Sequence, residues 1–97
     1  MRLDWNQLTR DQQRIVLDIR KNGPDCAKFL CRRNKMDQGA VMELLKGLEA
    51  QGWLSRVKGT FLFKRGFKRP KHMNHTYYDL SRSAEITLRT LARKGKI

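Results

Sequence analysis

The chain has 97 residues, 39% of them hydrophobic and 32% charged, and its 22 Lys and Arg against 9 Asp and Glu give a formal net charge of +13. That length supports one apolar core and no second, and no apolar run reaches the ~18 residues of a membrane span, so a transmembrane helix is excluded. Like charges at this density repel one another, and the partner such a composition points to is a polyanion.

At the N-terminus, Met1-Arg2-Leu3-Asp4-Trp5 offers no apolar stretch for a signal peptide, so a cytoplasmic protein is expected. The segment 8–21 then reads as a helix. Thr9 and Gln12 have the spacing of a capping box, in which each side chain satisfies the other's backbone N–H. Ile15, Val16 and Ile19 face a core, while Arg10, Arg14, Asp18 and Lys21 stay in water. Asn22-Gly23-Pro24 stops the helix, because Gly permits a left-handed cap and Pro cannot continue the ladder. A second helix is expected over 25–34, capped by Asp25, with Ala27, Leu30 and Cys31 inward and Lys28, Arg32 and Arg33 outward. A third is expected over 37–51, with Asp37 as cap and Gly52 as terminator. Its Val41, Leu44, Leu45 and Leu48 make the strongest helical pattern in the chain.

Beyond Gly52 the residue types change. Trp53–Val57, Thr60–Phe63 and His75–Leu80 are short, aromatic and β-branched, as strands are. A β-hairpin over 53–80 is therefore expected, with a polar, base-studded tip between Lys64 and Asn74. Ser81 caps a last helix over 81–93, with Ile86, Leu88, Leu91 and Ala92 as apolar positions, and Lys94–Ile97 should fray.

Helix, helix, helix, hairpin, helix is the order of a winged helix-turn-helix. This is an α+β, mainly helical fold with a three-helix core, a long basic wing and a C-terminal helix, here one domain over 1–97. Leu8-Thr9, Ile15-Val16-Leu17, Leu30-Cys31 and the run from Val41 through Leu44-Leu45, Leu48-Glu49 and Gly52-Trp53-Leu54 to Arg56 resemble the MarR-like transcription regulators. Tyr78-Asp79-Leu80-Ser81 resembles the segment that closes their wing. The resemblance covers roughly 8–80 and rests mostly on core positions, so it specifies fold more firmly than function. It implies that the third helix presents Gln38, Gly39, Ala40, Met42 and Glu43 to a major groove, with Lys46 toward the backbone. Gln38 would pair with an adenine edge and Met42 would touch a thymine methyl. The family dimerises through long terminal helices. Here that module reads as truncated, and a homodimer built on Trp5, Leu88 and Leu91 stays open beside a reading of Trp5 as a cover over the core.

The third helix itself is not basic, and the cationic density lies in the hairpin. Between residues 56 and 71 stand Arg56, Lys58, Lys64, Arg65, Lys68, Arg69 and Lys71, with no acid among them. A wing of this kind lies along a phosphate ridge or enters a minor groove. With Lys28, Arg32 and Arg33 as further phosphate contacts, duplex DNA is the expected partner. Two alternatives keep the fold: an RNA or single-strand binder stacking bases on Phe61, Phe63, Phe67 and Tyr77, and a protein-interaction module using Met42 and Glu43.

Other chemistry is not expected. Cys26 and Cys31 are too few for a disulfide scaffold and read as buried thiols in a reducing compartment. With His72 and His75 they invite a zinc site, but residues five apart on a helix point ~140° from each other. There is no paired-carboxylate site, no glycine-rich phosphate loop and no histidine with a fixed acid beside it. The sequence thus points to no enzyme, cofactor, metal, small-molecule ligand or membrane partner.

Overall fold

The first helix starts where the sequence offers a reciprocal cap. The Thr9 hydroxyl accepts from the Gln12 backbone N–H at 3.2 Å, and the Gln12 side chain accepts from the Thr9 N–H at 2.9 Å, satisfying two donors that a helix start leaves unpaired. In the computed structural model, which describes residues 3–57 and 76–97, α1 accordingly spans Arg10–Asn22, after a single 3-10 turn at Trp5–Gln7. Gly23 ends α1 at φ 88° and ψ −176°, a backbone region that essentially only glycine enters.

The next step departs from expectation. Asp25 does not cap a helix; Asp25–Cys26 form a short strand, β1. The second helix, α2, spans Ala27–Asn34, with Cys26 at its cap position and no side-chain cap bond. Lys35 closes it in the left-handed conformation at φ 54°. The third helix, α3, spans Gln38–Ala50, and the Asp37 carboxylate accepts from the Ala40 N–H at 3.2 Å. Gly52, at φ +87°, lets the Trp53 N–H return to the Leu48 carbonyl at 2.9 Å, which closes the helix end and turns the chain into a strand.

That strand, β2, is Leu54–Val57, and its partner, β3, is Tyr77–Leu80. They pair antiparallel with Leu54 opposite Leu80, Ser55 opposite Asp79, Arg56 opposite Tyr78 and Val57 opposite Tyr77. β1 pairs along the other side of β3, Asp25 opposite Tyr78 and Cys26 opposite Tyr77, giving a sheet of order β1-β3-β2. The strand expected at 60–63 and the tip at 64–74 lie outside the described residues. The last helix, α4, spans Arg82–Arg93. Its cap, Ser81, accepts from the Ala84 N–H at 3.1 Å and donates to the Gly52 carbonyl at 2.6 Å, tying the start of α4 to the end of α3. Helices around a small antiparallel sheet in this order make the winged-helix core that the sequence led us to expect.

The core is drawn from every helix: Ile15, Val16 and Ile19 of α1, Leu30 of α2, Val41, Leu45 and Leu48 of α3, and Ala84 and Leu88 of α4. Trp53 is buried among them, and Trp5 meets it edge-on with ring centroids 5.7 Å apart, so Trp5 covers the core. Among the described residues no polar or charged residue is buried, and no helix is long and apolar enough to cross a membrane. Two expectations need correcting. Ile86 is 54% exposed, because Ala84, Leu88 and Leu91 already define the inward face of α4 and Ile86 falls opposite it. The C-terminal residues are also tied down: the Lys96 N–H reaches the Leu91 carbonyl at 2.9 Å, and Ile97 packs against the core.

Leu48→Ala, which empties a fully buried site, should cost about 2–5 kcal/mol, and Thr9→Ala, which removes one half of the cap, about 1 kcal/mol. Ile86→Ser should stay within about 0.5 kcal/mol of the parent protein. Urea unfolding followed by circular dichroism checks this order, and an Ile86→Ser loss as large as that of Leu48→Ala contradicts the assigned inward face of α4.

Candidate nucleic-acid interface

Three side chains of α3 recur every fourth residue. Gln38, Met42 and Lys46 therefore share one helical face, and all three are exposed. Opposite that face stands the sheet, and between them lies a cleft of about 280 Å³. Gln38, Met42, Leu45 and Lys46 line it from the helix, Arg56 from β2, Thr76 and Tyr78 from β3, and Cys26 and Ala27 from the junction of β1 and α2. The structure thus brings together four of the residues expected to contact nucleic acid: Gln38, Met42, Lys46 and Arg56. Tyr78, Thr76 and the Cys26–Ala27 junction were not foreseen. The pairing of β1 with β3 is what places them there, and a two-residue strand leaves no alternating pattern to read.

Arg56 does not stand alone in this cleft. Its Nε donates to Glu49 Oε2 at 2.9 Å. That hydrogen bond first, and the negative charge of Glu49 with it, hold the Arg56 proton more tightly than usual, with Tyr78 adding to the effect. The only sign of this pair in the sequence is an acid in the last turn of a helix and a cation just past the turn that follows. Lys46 lies 3.9 Å from Glu43, both well exposed, an arrangement worth little in water.

The cations of α2 lie apart from the cleft lining. Lys28 is half-buried in the first turn and Arg32 is exposed. Arg33 has a different role from the one expected of it. Its guanidinium donates to Asp18 at 2.7 Å and to Asp25 at 2.6 Å, and Asn22 and Asn34 also donate to Asp18, at 3.1 and 3.0 Å. Arg33 is therefore held inside a clasp joining α1, β1 and α2. Asp18, expected in water, has only 10% of its side chain exposed. Burial pushes its carboxyl up, but the hydrogen bonds from Arg33, Asn22 and Asn34 outweigh this and hold it below the ordinary value of 3.8. Helical periodicity could not show this, because Arg33 and Asn34 come from another element.

Lys58, Lys64, Arg65, Lys68, Arg69 and Lys71 lie outside the described residues, as do Phe61, Phe63, Phe67, His72 and His75. Tyr77, offered for stacking on unpaired bases, is instead buried against Cys26, and burial first of all raises its hydroxyl pKa. Both cysteines are free thiols; Cys26 is buried, and Cys31 donates to the Lys28 carbonyl at 3.0 Å. Of the residues considered for a homodimer, Trp5 and Leu88 belong to the core and Leu91 is half-buried. A separate groove of about 730 Å³ runs between residues 3–6 and α4 and includes Ile86.

A family model described as "Uncharacterized protein conserved in archaea (DUF2250)" matches residues 5–91. No curated protein matches the chain. Among solved structures, apo MarR from E. coli superposes with a TM-score of 0.70 at 17% identity, over 91% of this chain and 58% of that one. A cysteine-to-serine variant of E. coli MarR in complex with operator DNA gives 0.70 at 17%, over 91% and 56%. A probable transcriptional regulator from Pseudomonas aeruginosa gives 0.70 at 22%, over 91% and 59%. The chain has the fold of these regulators and spans less than two thirds of their length.

The clasp makes a pH prediction. A carboxyl held below its ordinary value stabilises the folded state above that value and loses the contribution as pH falls through its lowered one. Asp18→Asn should therefore be less stable than the parent at pH 7, by about 1–3 kcal/mol for lost charge-assisted hydrogen bonds. The gap should begin to narrow below about pH 4, the ordinary Asp value, and close as pH falls through the lowered one. Melting temperatures at pH 7, 5 and 3 measure it, and a gap of constant size across that range contradicts the assignment.

Proposed function

The chain belongs to the DUF2250 family, and from its fold and its charge we propose that it is a small winged-helix protein that binds duplex DNA and regulates transcription. The observation that carries this reading is the convergence of Gln38, Met42 and Lys46 from α3 with Arg56 at the root of the hairpin, where the most cation-rich stretch of the sequence begins. In this reading α3 enters the major groove. Gln38 pairs with an adenine edge and Met42 touches a thymine methyl, while Lys46, Lys28 and Arg32 meet phosphates together with Lys58, Lys64, Arg65, Lys68, Arg69 and Lys71. Arg33, engaged by two carboxylates, contributes least. A solved structure of the same fold is bound to operator DNA, which is consistent with this use of the scaffold. The reading is of a binding protein without cofactor or metal, not of an enzyme. For a homodimer, the groove beside α4 with exposed Ile86 is the apolar surface the fold offers.

The test is binding of random duplex DNA across a series of salt concentrations. If about six phosphates are neutralised, log K should fall against log salt with a slope near about −5, from ~0.9 per contact. Reversing the charges of Lys64, Arg65, Lys68 and Arg69 together should remove most of that slope. A slope shallower than about −2 in the parent protein, against the ~0.9 of a single contact, removes the electrostatic basis of the proposal. Tighter binding to oligo-dT than to duplex at equal salt replaces it with the single-strand reading. Retention of a protein partner by the charge-reversed variant, with no duplex binding by the parent, replaces it with the interaction-module reading.

A further inference from the structure

Arg56 is the cleft cation most firmly held, and what holds it is part of the platform. Glu49 sits in the last turn of α3, one residue from fully buried Leu48, and is itself only half exposed. Its backbone is thus fixed by the core, while Arg56 projects from β2 opposite Tyr78. Arg56 Nε donates to Glu49 at 2.9 Å, and Tyr78 is a further hydrogen-bond neighbour of the guanidinium. A guanidinium carries five N–H donors, so one bonded to Glu49 through Nε keeps others, and the Arg56 side chain lines the same cleft as Gln38, Met42 and Lys46.

We propose that Glu49 is a specificity-determining residue of the DNA interface: it holds Arg56 as a neutral pair, so that Arg56 offers hydrogen-bond donors in the cleft without adding to the sequence-blind attraction for phosphate. The inference rests on the DNA-binding function proposed above. Sequence-blind affinity comes from cations that displace counterions from the phosphate backbone, about 0.9 of a unit of salt slope for each. A cation already matched by a fixed carboxylate brings no net charge to that exchange, whereas its geometry toward a base edge is retained. Lys46 differs. Its carboxylate neighbour, Glu43, is 3.9 Å away and 78% exposed, so the two separate readily and Lys46 remains a phosphate contact.

The experiment is a double-mutant cycle read as salt slopes. The parent, Glu49→Gln, Arg56→Gln and the double variant are titrated with random-sequence duplex over a range of KCl concentrations. Glu49→Gln should steepen the slope by about 0.9, one additional contact, and tighten binding to random duplex several-fold at low salt. Arg56→Gln should leave the parent slope unchanged, and in the Glu49→Gln background it should abolish the gain. A Glu49→Gln slope equal to or shallower than the parent's overturns the proposal. So does a full contact's loss of slope on Arg56→Gln in the parent, which means that Arg56 already sits on phosphate. That second arm decides the matter even if Glu49→Gln fails to fold. A parent protein with no salt-dependent duplex binding overturns the DNA-binding function and this inference together, whereas a parent that binds while Glu49→Gln matches it overturns this inference alone.

Discussion

A formal charge of +13 on 97 residues is a standing repulsion within the folded chain, and the apolar core is what holds against it. Each large side chain removed from water contributes about 1.5–3 kcal/mol, and the described part of the chain buries Trp53, Ile15, Ile19, Leu30, Leu45, Leu48 and Leu88 almost completely. The charges are not merely left outside; they are sorted. All 9 acids fall within residues 3–57 and 76–97, where Asp4 and Asp37 serve as caps and Asp18, Asp25 and Glu49 tie elements together. None stands between 58 and 75. The carboxylates therefore offset part of the positive charge of the helical platform, whereas the six bases of the segment joining β2 to β3, Lys58, Lys64, Arg65, Lys68, Arg69 and Lys71, have no acid among them.

How much of this could be read from the residues depended on the range of the interaction. The Thr9–Gln12 cap, the stop at Gly52 and the inward stripe of Val41, Leu45 and Leu48 are local, set by neighbours three or four positions away, and they stand where periodicity and capping chemistry put them. Asp25 was assigned to a helix start because Asp is a good cap. Tertiary pairing with Tyr78 drew it into a strand instead, and its carboxylate went to Arg33. Ile86 is one of the apolar positions of the last helix, but apolarity does not fix its side: Ala84, Leu88 and Leu91 define the inward face, and Ile86 falls opposite it. In the cleft, Gln38, Met42 and Lys46 are what the resemblance to the MarR-like regulators implies for α3. Tyr78 and Glu49 were not legible, since their places depend on sheet register and on the geometry of the Gly52 turn.

The two engaged arginines show how one chemistry serves two ends. Arg33 shares its guanidinium between Asp18 and Asp25, with Asn22 and Asn34 completing the shell around Asp18, and the result is a clasp on the rear of the helical platform. Arg56 has one carboxylate, bound through one nitrogen, at the edge of an open cleft. The first leaves little of the cation for an outside partner. The second leaves the guanidinium with other N–H donors, as suits a group that orients a ligand more than it attracts one.

The two residues of β1 belong at once to the linker between the first two helices and to the sheet from which the hairpin springs. Because Asp25 and Cys26 pair with Tyr78 and Tyr77, the link between the first two helices is hydrogen-bonded directly to the sheet. The shortest strand of the fold thus stitches the bundle to the central strand of the sheet, and α1 and α2 are bound into the β-structure by the very linker that separates them.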